Sequence, residues 1–192
     1  MRTKPSARGE RGAALLEFAL VAPVLLLLIF GAIEYGMFFK DYLTVSNTTR
    51  TGARVGSAAG SGADADYQII QAVKAAATAL PGGATSIQQL SIYKSTSAGG
   101  GPSATCQTTS SATDGCNTYT ASVFSQPSTK FGCGAGSLDS AWCPTTRVDS
   151  QAVGPDYIGV WVKTTHPFVT RLFGSSRTIT DDVVMRIEPK IP

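Results

Sequence analysis

The chain is poor in the residues that enzymes and nucleic-acid binders use. One histidine, His166, and four cysteines are its whole supply of imidazole and thiol groups in 192 residues. Charged residues make up 15% of the sequence, well below the roughly 25% usual for soluble domains. An excess of charge of one sign is also missing from the body. Arg2, Lys4, Arg8 and Arg11 against Glu10 place the whole formal charge of +3 in the first twelve residues. A folded part with balanced charge and no basic patch argues against nucleic acid as a partner. Motifs of site chemistry are absent as well: there is no phosphate-cradling loop, nucleophile elbow, C-x-x-C pair or zinc-type cysteine spacing. Asp64-x-Asp66 lacks the further ligands of a calcium loop. Asp181 and Asp182, adjacent on an expected strand, point to opposite faces and cannot form one site. His166, standing before Pro167, reads as a loop residue rather than a general base. No catalytic residue, metal or cofactor is expected.

What the sequence does have is a long apolar run near its start. Ala13 to Phe39, AALLEFALVAPVLLLLIFGAIEYGMFF, contains only two charges, Glu17 and Glu34. As a helix it would span about 40 Å, enough for a hydrocarbon core of about 30 Å. Basic residues precede it, and only Lys40, beside Asp41, follows closely, so the positive-inside rule puts the N-terminus in the cytoplasm. The run is longer than a signal peptide's apolar region and ends in bulky Tyr35, Met37, Phe38 and Phe39. It therefore reads as a retained anchor. Glu17 is the costly residue in it, at about 2.5–3.5 kcal/mol for a mid-bilayer carboxylate. A cut after Gly12 would place a new α-amino group on Ala13, one helical turn before Glu17 and able to neutralise it. Pro23 removes the hydrogen bond to the Ala19 carbonyl and predicts a kink.

The string Gly12-Ala13-Ala14-Leu15-Leu16-Glu17-Phe18 resembles the processing site of type IV prepilins, with Gly at the cut and Glu at the fifth mature position. The longer stretch Arg11 to Pro23 (RGAALLEFALVAP), Phe30 to Gly36 (FGAIEYG) and Thr49 to Arg54 (TRTGAR) are similar to TadE-like proteins. These are pseudopilins, or minor pilins, of the tight-adherence (Flp, type IVc) pilus system. Asp182 to Arg186 (DVVMR) resembles their closing strand. Where the Flp-type site usually has Tyr after the Glu, this chain has Phe18. The resemblance implies a bacterial cytoplasmic-membrane protein with its C-terminal domain outside. It also implies a structural role in a Tad-type pilus or related secretion apparatus, with other pilin-like subunits, Tad assembly proteins and a prepilin peptidase as partners besides the lipid bilayer. The residues alone support an anchored extracytoplasmic domain, so a stand-alone single-pass protein binding a ligand or cell-wall component is the alternative.

Beyond the membrane the expected fold is α+β and pilin-like. The boundaries run 1–12 for the basic leader, 13–39 for the transmembrane helix, 40–60 for its helical extension and 61–192 for the outer domain. Tyr42, Val45, Thr49, Ala53 and Gly56 share a face of the extension, where small residues suit close approach to a sheet. Gly60-Ser61-Gly62 ends it. Asp64 or Asp66 is expected to cap a second helix carrying Tyr67, Ile70, Val73, Ala77 and Leu80, stopped by Pro81-Gly82-Gly83. Four antiparallel strands are expected, around 89–93, 118–125, 157–165 and 177–188, with a helical turn or two at 167–173. Cys106, Cys116, Cys133 and Cys143 lie in one extracytoplasmic Gly/Ser/Thr-rich stretch and read as disulfides. Four cysteines allow three pairings. The equal intervals favour Cys106–Cys116 with Cys133–Cys143.

Overall fold

The computed structural model describes residues 7–189, so Arg2 and Lys4 of the basic head and the last three residues of the outer domain lie outside the described residues. The chain is α+β. A single helix, α1, runs from Ala7 to Ala59, about 80 Å at 1.5 Å per residue. It ends at Gly60, whose φ of 56° is left-handed. That conformation costs an L side chain about 1–2 kcal/mol, and the Gly60 N–H closes the last turn on the Gly56 carbonyl at 3.0 Å.

Helix α2 spans Ala65–Ala76 and tightens into a 3-10 turn over Ala77–Ala79. Asp64 stands at its N-cap without a side-chain cap bond; its carboxylate accepts from Gln68 Nε2 at 2.8 Å instead. Asp66 is no cap either. It is fully buried in the first turn and serves a network described below.

The sheet has the order β2-β1-β3-β4, antiparallel throughout. Its strands are β1 (Ile87–Ser95), β2 (Cys116–Tyr119), β3 (Tyr157–Pro167) and β4 (Ser176–Arg186). Alternation assigns the faces. Ile158, Val160 and Val162 look toward the helices, while Trp161, with Tyr93 of β1, looks away. Tyr93 lies across Gly159 so closely that a Cβ there would fall 2.1 Å from its Cζ.

Two expected elements differ. The strand foreseen at 118–125 stops at Tyr119, and Ala121–Ser125 is a 3-10 turn. Adjacent Val123 and Phe124 are both buried, which the turn permits and a strand, with its two opposed faces, does not. Helical turns were expected at 167–173; instead Pro167 ends β3 and residues 168–175 form the loop of the β3–β4 hairpin, closed by Phe168 N–H on the Ser175 carbonyl at 3.1 Å. Left-handed Arg171 (φ 59°) and Gly174 (φ 103°) turn the chain there. His166 belongs to β3, not to a loop.

The outer part of α1 is a core element. A Cβ on Gly52 would meet Val73 Cγ2 at 2.8 Å and Val160 Cγ1 at 3.2 Å; one on Gly56 would meet Ile69 Cδ1 at 2.9 Å and Ile158 Cδ1 at 3.0 Å. The glycines thus let α1 lie between α2 and the sheet at backbone distance. Thr49 Oγ1 donates to Asp181 Oδ2 at 2.6 Å and Ser57 Oγ to the Arg186 carbonyl at 2.6 Å, tying α1 along β4.

Candidate functional site

Among the described residues, the inner part of α1 has no packing partner. Thirteen large apolar side chains between Leu15 and Ile33 are exposed, Leu15, Phe18 and Leu20 by about 70% each. The helix is long and apolar enough to cross a membrane, with a mean hydropathy of 2.6 over its most apolar window. On an insertion scale such residues contribute about −0.3 to −0.6 kcal/mol each, so thirteen outweigh the roughly 2.5–3.5 kcal/mol cost of a central carboxylate. Glu17 therefore does not keep this helix out of a bilayer. It stands exposed one turn after Ala13, and the helix is continuous both through Gly12-Ala13 and past Pro23.

A collar of packed residues begins where the bare stem ends. Glu34 is fully buried although it stands in the apolar run. It accepts the backbone N–H of Val169 at 3.2 Å through Oε2 and that of Thr170 through Oε1. Two turns higher, Asp41 Oδ2 meets His166 Nδ1 at 2.7 Å, both side chains nearly solvent-free. Phe38 and Phe168 stand edge-on to the imidazole at 5.7 and 5.2 Å. Phe173 reaches Tyr35, with ring centroids 5.3 Å apart. The β3–β4 hairpin thus runs down α1 from Asp41 to Gly31, about 15 Å along the axis.

The head holds a second polar cluster. Arg147 Nη2 donates to Asp66 Oδ1 at 2.6 Å, with both side chains fully buried, and the guanidinium lies 4.1 Å over the Trp142 ring. Asn117 Nδ2 and Tyr119 OH donate to Asp66 Oδ2 at 2.8 and 2.7 Å. Burial first, and then the Asp66 carboxylate, push the Tyr119 hydroxyl well above the ordinary phenol range. On the other face burial, followed by Asp182 at 3.0 Å, does the same to Tyr93. Asp181 and Asp182 do face opposite ways, one to α1 and one to Tyr93.

The cysteines pair Cys106–Cys116 and Cys133–Cys143. The first disulfide packs under Tyr93 and Trp161 on the face away from the helices. The second holds a turn whose Gly132 and Cys133 N–H groups, at 2.9 and 3.1 Å, are bound by buried Asp139. Among the described residues no group of three His, Cys, Asp or Glu side chains could hold a metal. A shallow hollow of about 370 Å³ beside β2, lined by Thr118, Thr120, Ser122, Gln126 and Lys130, offers no cluster of titratable groups.

Sequence reasoning missed Glu34, Asp41 and His166 as a group. Their signal was present, because the period of two through Val160, Val162 and Thr164 places His166 on the helix-facing side. Asp41 likewise precedes Val45 by one helical turn. Arg147 gave no signal, lying in an aperiodic connection.

Bare apolar stem and packed α+β head together define a stem-and-head protein whose stem is a candidate membrane span. The family model described as TadE-like protein matches residues 12–54, and the resemblance read from that segment is to this family. The match covers the stem and most of the part of α1 that enters the core, stopping short of Gly56 and Ser57, and it leaves the sheet outside. No curated protein and no solved structure matches the chain.

Proposed function

We propose that this chain is a pseudopilin-type structural or assembly component of a Tad-type pilus or related secretion apparatus. It is held in the bacterial cytoplasmic membrane by residues 13–39, with the leader 1–12 inside and the head outside. The observation that carries this reading is the coincidence of the TadE-like match over 12–54 with a stem that, among the described residues, is bare of packing from Gly12 to Phe30. A surface so apolar is covered by lipid or by the helices of neighbouring pilin-like subunits. Gly12 and Ala13 flank the cut of a prepilin peptidase, and Glu17 then pairs with the freed α-amino group in the chain itself or in a neighbour. Pro23 weakens the helix midway along the stem and eases its passage out of the bilayer.

The N-terminus of protein extracted from its host membrane, read by intact mass and peptide mapping, tests the processing. A start at Ala13 is expected. A start at Met1 or Arg2 leaves a permanent anchor and excludes pilin-style extraction. Glu17→Leu is expected to insert at least as well as the parent and to fail in assembly; normal pili from that variant would sink the pairing role.

A further inference from the structure

The β3–β4 loop carries an exposed apolar tip at an unusual place. Val169 is 74% exposed, Leu172 50% and Phe173 46%. A loop facing only water would bring no benefit from three such side chains. This one is fixed beside the stem. Phe173 lies 3.5 Å from where a Cβ on Gly31 would stand, and it meets the edge of Tyr35. Glu34 pins the backbone by accepting from Val169 and Thr170. Gly31 is inside the charge-free run Phe18–Ile33, and Glu34 is the first charge after it. The loop tip is therefore level with the last turn of the apolar run, about 5 Å short of Glu34 along the axis. Its apolar surface continues that of Ile29, Phe30 and Ile33, all exposed. Arg171 at the tip and Arg177 on β4 are exposed, and among the described residues neither is in an ion pair. Long basic side chains at such a depth lay their stems on apolar surface and send their charge to the headgroups.

We propose that the β3–β4 loop is a second membrane-contacting element, seating Val169, Leu172 and Phe173 in the outer interface of the bilayer beside the stem, with Arg171 among the phosphates. The proposal rests on the reading of residues 13–39 as a membrane span. It gives Glu34 a task as well: by binding the loop's N–H groups, the carboxylate lets bare backbone approach the hydrocarbon edge without unpaired donors. The head is thereby held at two points and cannot swing freely about the stem.

The test uses the full chain in vesicles of phosphatidylethanolamine and phosphatidylglycerol, with one environment-sensitive fluorophore at a time on Leu172→Cys, Thr113→Cys or Leu26→Cys. Thr113 is exposed near the opposite end of the sheet, and Leu26 is in mid-stem. Expected for Leu172 is a blue-shifted emission, quenched by shallow spin-labelled lipid and shielded from aqueous iodide, with Thr113 showing the reverse. A Leu172 label open to iodide, while the Leu26 label is quenched by lipid, overturns the loop contact and leaves the anchor standing. Shielding from iodide without lipid quenching assigns the tip to a second copy of the chain and overturns the proposal too. A Leu26 label untouched by lipid quenchers removes the span itself. Glu34→Ala is expected to release the tip and restore iodide quenching at Leu172; an unchanged signal would show that Glu34 does not hold it.

Discussion

At the scale of single residues, the buried Asp66–Arg147 pair is where the head is most easily broken. Both side chains are fully buried, and Arg147 Nε and Nη1 have no hydrogen-bond partner among the described residues. The pair therefore contributes less to net stability than its short distance suggests, because desolvation offsets attraction. Removing one member is a different matter. Asp66→Ala strands a buried guanidinium and is expected to cost about 3–5 kcal/mol, read as a lower urea midpoint for the disulfide-intact protein in detergent. The two buried tyrosines set a second expectation. The hydroxyls of Tyr93 and Tyr119 are held above their unfolded value, with burial the main cause. Such groups leave stability intact below the unfolded pKa of about 10 and reduce it as pH rises beyond that value. Alkaline titration followed by tyrosinate absorbance should show these two rings ionising only as the head unfolds. Reversible ionisation of both rings with the head still folded would overturn this.

At the scale of elements, the glycines of α1 decide how closely the helix meets its neighbours. Gly52→Ala gains about 1 kcal/mol of helix propensity. It also drives a methyl against the stiff side chains of Val73 and Val160, and overpacking of this kind costs about 1–3 kcal/mol. The expected net effect is destabilisation, larger than for Gly56→Ala, whose nearest neighbours are the flexible Cδ1 atoms of Ile69 and Ile158. A Gly52→Ala protein with a raised melting temperature would refute the close-approach argument. The disulfides divide similarly. Each closes a short loop, worth about 3 kcal/mol in the chain-entropy account, but only Cys106–Cys116 is itself buried. Replacing that pair with Ala should lower the melting temperature more than replacing Cys133 and Cys143. Much at this scale was legible in the sequence: the long helix and its glycine stop, the second helix, and the alternation of β3. Legibility failed where local pattern and tertiary demand part. Val123-Phe124 reads as β-rich yet turns to bury both side chains. Pro167 to Phe173, expected as a helical turn or two, is claimed instead by the hairpin between β3 and β4. The Asp66 network joins positions 81 residues apart in sequence, which no local pattern encodes.

At the scale of the whole molecule, the stem and the head make opposite demands on solvent. The stem exposes its apolar side chains all round, while the head buries a core under α2 and the final turns of α1. Membranes washed with alkaline carbonate should accordingly retain the full chain. A variant whose apolar run is interrupted at its middle, Leu26→Lys with Leu27→Lys, should be released in part. Complete release of the parent chain would contradict a spanning stem. The interior of the head, by contrast, should be indifferent to those two lysines, leaving its disulfides and its urea midpoint unchanged. Helix α1 belongs to both parts without a joint between them. Tension applied along it has no linker to stretch first: the load enters the head as shear between α1, α2 and β4, resisted at Gly52, at Thr49 against Asp181 and at Ser57 against Arg186. Anything that draws the stem lengthwise must carry the head with it as one rigid piece or tear out its centre.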